Sequence, residues 1–405
     1  MACILDYLDW RGDLPFQDVP FCEVDAVILT RLSYLPFSGV VGEMPVSLGD
    51  AAARVKRLLG PEGDGREVRN GRDLLLLDSL VDSPRFSTLS LAGYVERFDK
   101  EAEKQFSAIT VLLPDGIFVA YRGTDGTVIG WKEDFNMGFA DRVPAQTDAV
   151  AYLEEAAGRY PGAIRVGGHS KGGNLAVYAA AFCAPEIQAR VLSVQNNDGP
   201  SFPDAVAARE SFRRILPRVH TYLPQSSVVG LLMNHGEAYT IVHSTNSGLK
   251  QHDMYSWEVV RDHLAVAEGF TEGSRFFDAT VKNWFAAMPV EQRKELIDGI
   301  YSVITSSDAE EVAELRGGKS ALTMLKAAAE LDEETRHVVF EAFRAFFSSA
   351  KKAADQRRQS KITPGPIQID QNRRLPLNKG GRRFFASASD FSAPGCKFLP
   401  IYTIS

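Results

Sequence analysis

The chain has 405 residues, 45% hydrophobic and 24% charged, the balance of a globular protein with room for one large domain or two smaller ones. Its formal net charge of −7 argues against nucleic acid as the main partner, because a dedicated binder carries a basic face. No apolar run approaches the roughly 18 residues of a membrane span, and Asp6 and Asp9 stand where an export signal would carry lysine or arginine. The four cysteines, Cys3, Cys22, Cys183 and Cys396, have no metal or redox spacing. These features predict a cytoplasmic protein with reduced thiols and no metal or organic cofactor. Transient contact with a membrane surface stays open.

In chain order, residues 25–34 are apolar over a length that suits a buried helix better than a strand. A second helix is expected with Asp50 as its cap, closing at Gly60-Pro61. A third runs through 74–77 and is broken by Ser83-Pro84. Regular alternation begins near Phe106, where 106–113 and 117–122, joined by Pro114-Asp115-Gly116, predict a hairpin. A loop with Trp131 and a helix over about 145–160 come next.

Residues 163–180 read as a short strand, a glycine-rich turn and an alanine-rich helix, and further strands are expected at 190–195, 220–223 and 238–242. Strands alternating with helices predict an α/β fold, a mostly parallel sheet with helices on both faces. From about 262 to 350 the pattern is helical only, its first helix over 265–277. After Ala350 the chain is basic and rich in proline, glycine and glutamine, with the pairs Arg357-Arg358, Arg373-Arg374 and Arg382-Arg383, and reads as a flexible tail.

Gly168-His169-Ser170-Lys171-Gly172 fits the G-x-S-x-G nucleophile elbow of α/β-hydrolases in its required strand–turn–helix setting. The serine must sit on a turn so tight that only glycine neighbours avoid Cβ clashes, and the helix behind it aims its N-terminal N–H groups at a nearby anion. The organisation expected around it is an N-terminal helical or lid region over 1–105 and an α/β-hydrolase core over 106–262. A helical region over 263–350 and a tail over 351–405 complete the chain.

An elbow serine needs a base, and the base an orienting acid, in the chain order Ser, Asp or Glu, His. Of seven histidines, His252 lies in a polar loop after the last strand and is the favoured base, with His243 and His235 as alternatives. His169, beside the nucleophile, is expected to point away from the site; His263 is placed in the following helix and His337 in the distal helical region. Asp198, in the loop after the strand that succeeds the elbow helix, is the favoured acid, with Asp204 and Asp253 competing. The N–H of Lys171 and the segment Arg122-Gly123-Thr124 are the expected oxyanion donors, with the Thr124 hydroxyl beside them.

These residues also carry a family resemblance. Tyr121-Arg122-Gly123-Thr124, Trp131, Asp134 and Gly168-His169-Ser170-Lys171-Gly172-Gly173 resemble the class 3 (fungal-type) lipases, and more closely the bacterial Mbeg-like proteins, a lipase-related group. The closer likeness includes 6–13, Val24-Asp25-Ala26, Asn197-Asp198-Gly199-Pro200, 224–230 and Gln251-His252-Asp253, and covers about residues 1–260. It implies an α/β-hydrolase fold with Ser170 as nucleophile, His252 as base and oxyanion donors at Thr124 and Lys171. In class 3 lipases the acid stands about where this chain has Ser226-Ser227; no carboxylate is there, and Asp198 is left to supply it.

The expected function is a serine hydrolase of lipase/esterase type acting on a small-molecule or lipid ester. A thioesterase, peptidase or acyltransferase on the same triad is the alternative, as is a binding protein that keeps the fold without turnover.

Overall fold

Successive side chains along a strand point to opposite faces, and the central strand β4 (Gly116–Tyr121) is apolar on both. Ile117, Val119 and Tyr121 enter one buried cluster, Phe118 and Ala120 the other. Such a strand has to lie between two helical layers. The computed structural model describes residues 2–279, except 62, 69, 103, 125–132, 134, 135, 138–141, 228, 232–236 and 277. Most of the expected C-terminal helical region, the tail, Trp131, Asp134, His235 and His337 lie outside the described residues.

Among the described residues eight strands form one sheet in sequence order: β1 (Val46–Ser47), β2 (Ser90–Asp99), β3 (Lys104–Leu113), β4, β5 (Ala163–His169), β6 (Val191–Asn197), β7 (Val219–Pro224) and β8 (Tyr239–Val242). β1 to β4 are antiparallel and β4 to β8 parallel. On one face lie α1 (Ile4–Arg11), α2 (Glu23–Leu32), α3 (Leu48–Leu59) and α4 (Arg72–Asp82). The other carries α5 (Pro144–Arg159), α6 (Lys171–Phe182) and the short helices α7 (Pro185–Arg190), α8 (Asp204–Ala207) and α9 (Glu210–Ile215). This is the α/β fold expected, a mostly parallel sheet with helices on both faces. Tyr121 pairs with Gly168, His169 with Asn197 and Asn197 with Tyr222, so the carboxyl ends of β4 to β7 finish at one edge.

The structure departs from expectation at three places. The segment before Phe106 is not purely helical, since β1 and β2 belong to the central sheet. Ser47, not Asp50, caps α3: its Oγ accepts the Asp50 N–H at 3.1 Å. His263 lies in a two-residue strand, β10 (His263–Leu264), paired with β9 (Val259–Val260), and helix begins only at 272. Local propensity loses there to main-chain pairing, because the Ala265 and Ala267 N–H groups donate to Glu258 and Ile241. No helix among the described residues is long and apolar enough to cross a membrane.

α2 is buried along nearly its whole length, charged residues included, and those charges are matched. Arg85 gives Nε and Nη2 to Asp25 at 2.8 and 2.6 Å, and its remaining N–H groups to the carbonyls of Leu14, Val19 and Pro20. All five guanidinium donors are thereby used, and Phe16 lies under the plane at 4.1 Å. Removing one member of a buried pair strands the other, at about 3–5 kcal/mol. Arg85→Ala is accordingly expected to lower the urea midpoint by an amount corresponding to that range, with Arg85→Lys recovering little because an ammonium cannot reproduce the fork. An unchanged midpoint in Arg85→Ala would contradict this account of the N-terminal layer.

Candidate active site

The sharpest backbone feature of the sheet edge is Ser170, with φ 58° and ψ −133° between β5 and α6. A side chain in the positive-φ region stores about 1–3 kcal/mol of strain and persists only where its surroundings over-determine it. Here they do. A Cβ on Gly168 would sit 1.9 Å from the Gly172 carbonyl oxygen, and one on Gly172 2.2 Å from that of Tyr121. The two glycines of the elbow thus let β5, α6 and the end of β4 meet at van der Waals distance. The turn is pinned by Ser170 N–H to the Asn197 carbonyl and Gly173 N–H to the Ser170 carbonyl, both 2.9 Å. Ser170 is 9% exposed.

Asp198 comes directly after β6, at the same sheet edge, and also has a positive φ of 51°. Its N–H bonds the Tyr222 carbonyl at 2.9 Å, fixing the residue to β7. The carboxylate is 1% exposed and receives three donors: Ser227 Oγ at 2.5 Å and Gly230 N–H at 3.2 Å on Oδ1, and His252 Nδ1 at 2.6 Å on Oδ2. A carboxylate accepts only, so His252 carries its proton on Nδ1 and leaves Nε2 as the lone-pair nitrogen. The His252 side chain is 30% exposed, and its ring centroid lies 4.4 Å from that of His169, next to the elbow.

The remaining candidates fall elsewhere. His243 Nδ1 faces Glu258 at 2.8 Å, Asp204 is exposed at the start of α8, and Asp253 bonds the Tyr255 N–H and faces Arg72. Lys171 opens α6 with its N–H beside Ser170, while its buried ammonium runs away to Glu133 Oε2 at 3.0 Å and the Gln105 carbonyl at 2.9 Å. The segment ending in Thr124 lies against the elbow: a Cβ on Gly123 would come within 2.6 Å of the His169 carbonyl oxygen and 2.9 Å of Ser170 Cβ. The structure therefore brings Ser170, Lys171, Gly123-Thr124, Asp198 and His252 to one edge of the sheet.

Three participants escaped the sequence reading. His169 does not point away from the site; its ring packs on His252 and its Nε2 lies 2.8 Å from the His252 carbonyl oxygen. Tyr34, just past α2, bonds His169 Nδ1 at 2.8 Å. Ser227, near the position at which the lipase resemblance implies an acid, supplies a hydroxyl that holds Asp198. A hydroxyl at the expected carboxylate position was the one available signal. The loop of His252 is braced from the N-terminal layer, since Tyr255 Oη donates to Asp73 Oδ1 at 2.8 Å and Asp73 is forked by Arg31 of α2.

The family model described as Mbeg1-like matches residues 80–302, more than half of the chain. The match starts later than the likeness read from the sequence, leaving out 6–13 and 24–26, and extends past 260. No curated protein matches the chain.

Proposed function

The chain belongs to the Mbeg1-like family; from the geometry of the site we propose that it is a serine hydrolase of lipase/esterase type that cleaves a carboxylic ester through an acyl-enzyme. The observation that carries the reading is the 2.6 Å pair of His252 Nδ1 and buried Asp198 beside a serine held at positive φ. In this mechanism Ser170 Oγ attacks the acyl carbon while His252 Nε2 takes its proton. Asp198 keeps the ring in the tautomer that can do so and stabilises the imidazolium. The N–H groups of Lys171 and Thr124 receive the oxyanion, at the positive end of α6. His252 then returns the proton to the departing alkoxide. Water, deprotonated by the same nitrogen, releases the acid and restores Ser170. Each proton taken is given back, so the cycle needs no cofactor. The thiols of Cys3, Cys22 and Cys183, unpaired among the described residues, suit a reducing compartment, and a cytoplasmic site of action is part of the reading.

The test is a panel of p-nitrophenyl esters, acyl thioesters and peptide anilides offered to the full chain. Faster turnover of esters than of thioesters or anilides is the expected result. Thioester preference would keep the machinery and replace the substrate class. Inertness toward the whole panel would count against hydrolysis.

A further inference from the structure

Catalysis by Ser170, Asp198 and His252 leaves Tyr34 and the His169 side chain unused, yet His169 is buried and Tyr34 half-buried at the site, and the two are joined in a directed chain of hydrogen bonds. The direction is set by the two ends. The His252 carbonyl only accepts, so His169 Nε2, 2.8 Å away, carries a hydrogen. Burial, with His252 and Arg31 nearby, holds the His169 ring well below its usual pKa, so the ring is neutral and Nδ1 is a bare acceptor. Tyr34 Oη, 2.8 Å from Nδ1, donates to it; burial pushes this phenol up to about 12, which keeps its proton in place. The same oxygen accepts the Gly123 N–H at 3.2 Å. From Gly123 to His252 every donor meets an acceptor.

We propose that Tyr34 and His169 are positioning residues that fix two parts of the site at once, the Gly123-Thr124 segment over Ser170 and the main chain of His252. The inference rests on the serine-hydrolase reading. Gly123 immediately precedes an oxyanion donor, and the carbonyl that His169 holds belongs to the base itself. The guanidinium of Arg31, 4.3 Å above the Tyr34 ring and paired with Asp73, holds the tyrosine in turn.

The experiment uses full-length wild type, Tyr34→Phe, His169→Ala and His169→Gln, with kcat and KM for a p-nitrophenyl ester and Tm for each. Side-chain ¹⁵N resonances of the wild-type histidines are recorded alongside. Tyr34→Phe, which removes both the bond to His169 Nδ1 and the acceptor of the Gly123 N–H, should lower kcat about 10-fold, with KM within about twofold and Tm near wild type. His169→Ala should lose about 100-fold, and His169→Gln, which keeps an N–H for the His252 carbonyl, should recover about 10-fold of that. His169 should resonate as the Nε2–H tautomer. Wild-type kcat in Tyr34→Phe would overturn the proposal. So would activity losses that merely track Tm with His169→Gln no better than His169→Ala, or a His169 protonated on Nδ1. A wild type that neither turns over esters nor labels with a fluorophosphonate removes the hydrolase reading and this one with it. An active wild type beside unaffected variants removes this one alone.

Discussion

Ser170→Ala should lower ester turnover by on the order of 10⁶-fold in kcat, to the level at which only binding and the oxyanion donors act. On the hydrolase proposal the loss is that large because the nucleophile has no substitute: the attack needs an oxygen at this position, at the end of β5. Binding should survive, since the segment 122–124 and α6 are untouched. The fold should survive as well. Alanine carries the same φ penalty as serine, and the bonds of the Ser170 N–H to Asn197 and of its carbonyl to Gly173 are main-chain bonds. The expected outcome is an unchanged Tm with esterase activity at background; retained activity would place the nucleophile elsewhere.

The second large effect is Asp198→Asn, expected to cost about 10⁴-fold in kcat. The shape barely changes, so the effect is one of protons. Ser227 Oγ and the Gly230 N–H both point at Oδ1, so an amide at 198 must keep its oxygen there. Its NH₂ group then faces His252 Nδ1, which has to become the acceptor and push the ring proton onto Nε2. A protonated Nε2 cannot take the Ser170 proton. Kinetics from pH 7 to 9, with Tm as the control for folding, measure this directly. A loss below about tenfold would mean that Asp198 serves the turn rather than the base.

The sequence made the elbow legible for a steric reason. Gly168 and Gly172 are spaced so that each occupies ground a Cβ would deny, and few other structures demand that pattern around a serine. His252 was legible from chain order and loop position, and Asp198 from its place directly after β6. Contacts between distant segments were not. Tyr34 and His169 are 135 residues apart, and nothing in either neighbourhood announces the other. Adjacency to Ser170 misplaces His169, because the sharp turn at Ser170 leaves the ring of the preceding residue packed on His252. β2 escaped for a different reason: its register shifts between Ala92 and Val95 around Gly93, and its outer half from Glu96 is exposed, so it lacks the sustained buried apolar run that marks β3 and β4. The first turns of the helix expected from 265 gave way to extended chain, because the Ala265 and Ala267 N–H groups donate to the distant carbonyls of Glu258 and Ile241.

The central claim, that Ser170 is an activated nucleophile, is tested most directly by treating the full-length protein with a fluorophosphonate and locating the adduct by mass spectrometry of its peptides. The account predicts a single phosphonylated residue, Ser170, formed rapidly in wild type, slowly in Asp198→Asn and not at all in Ser170→Ala. A folded wild type left unlabelled, or labelled at another residue, would contradict it.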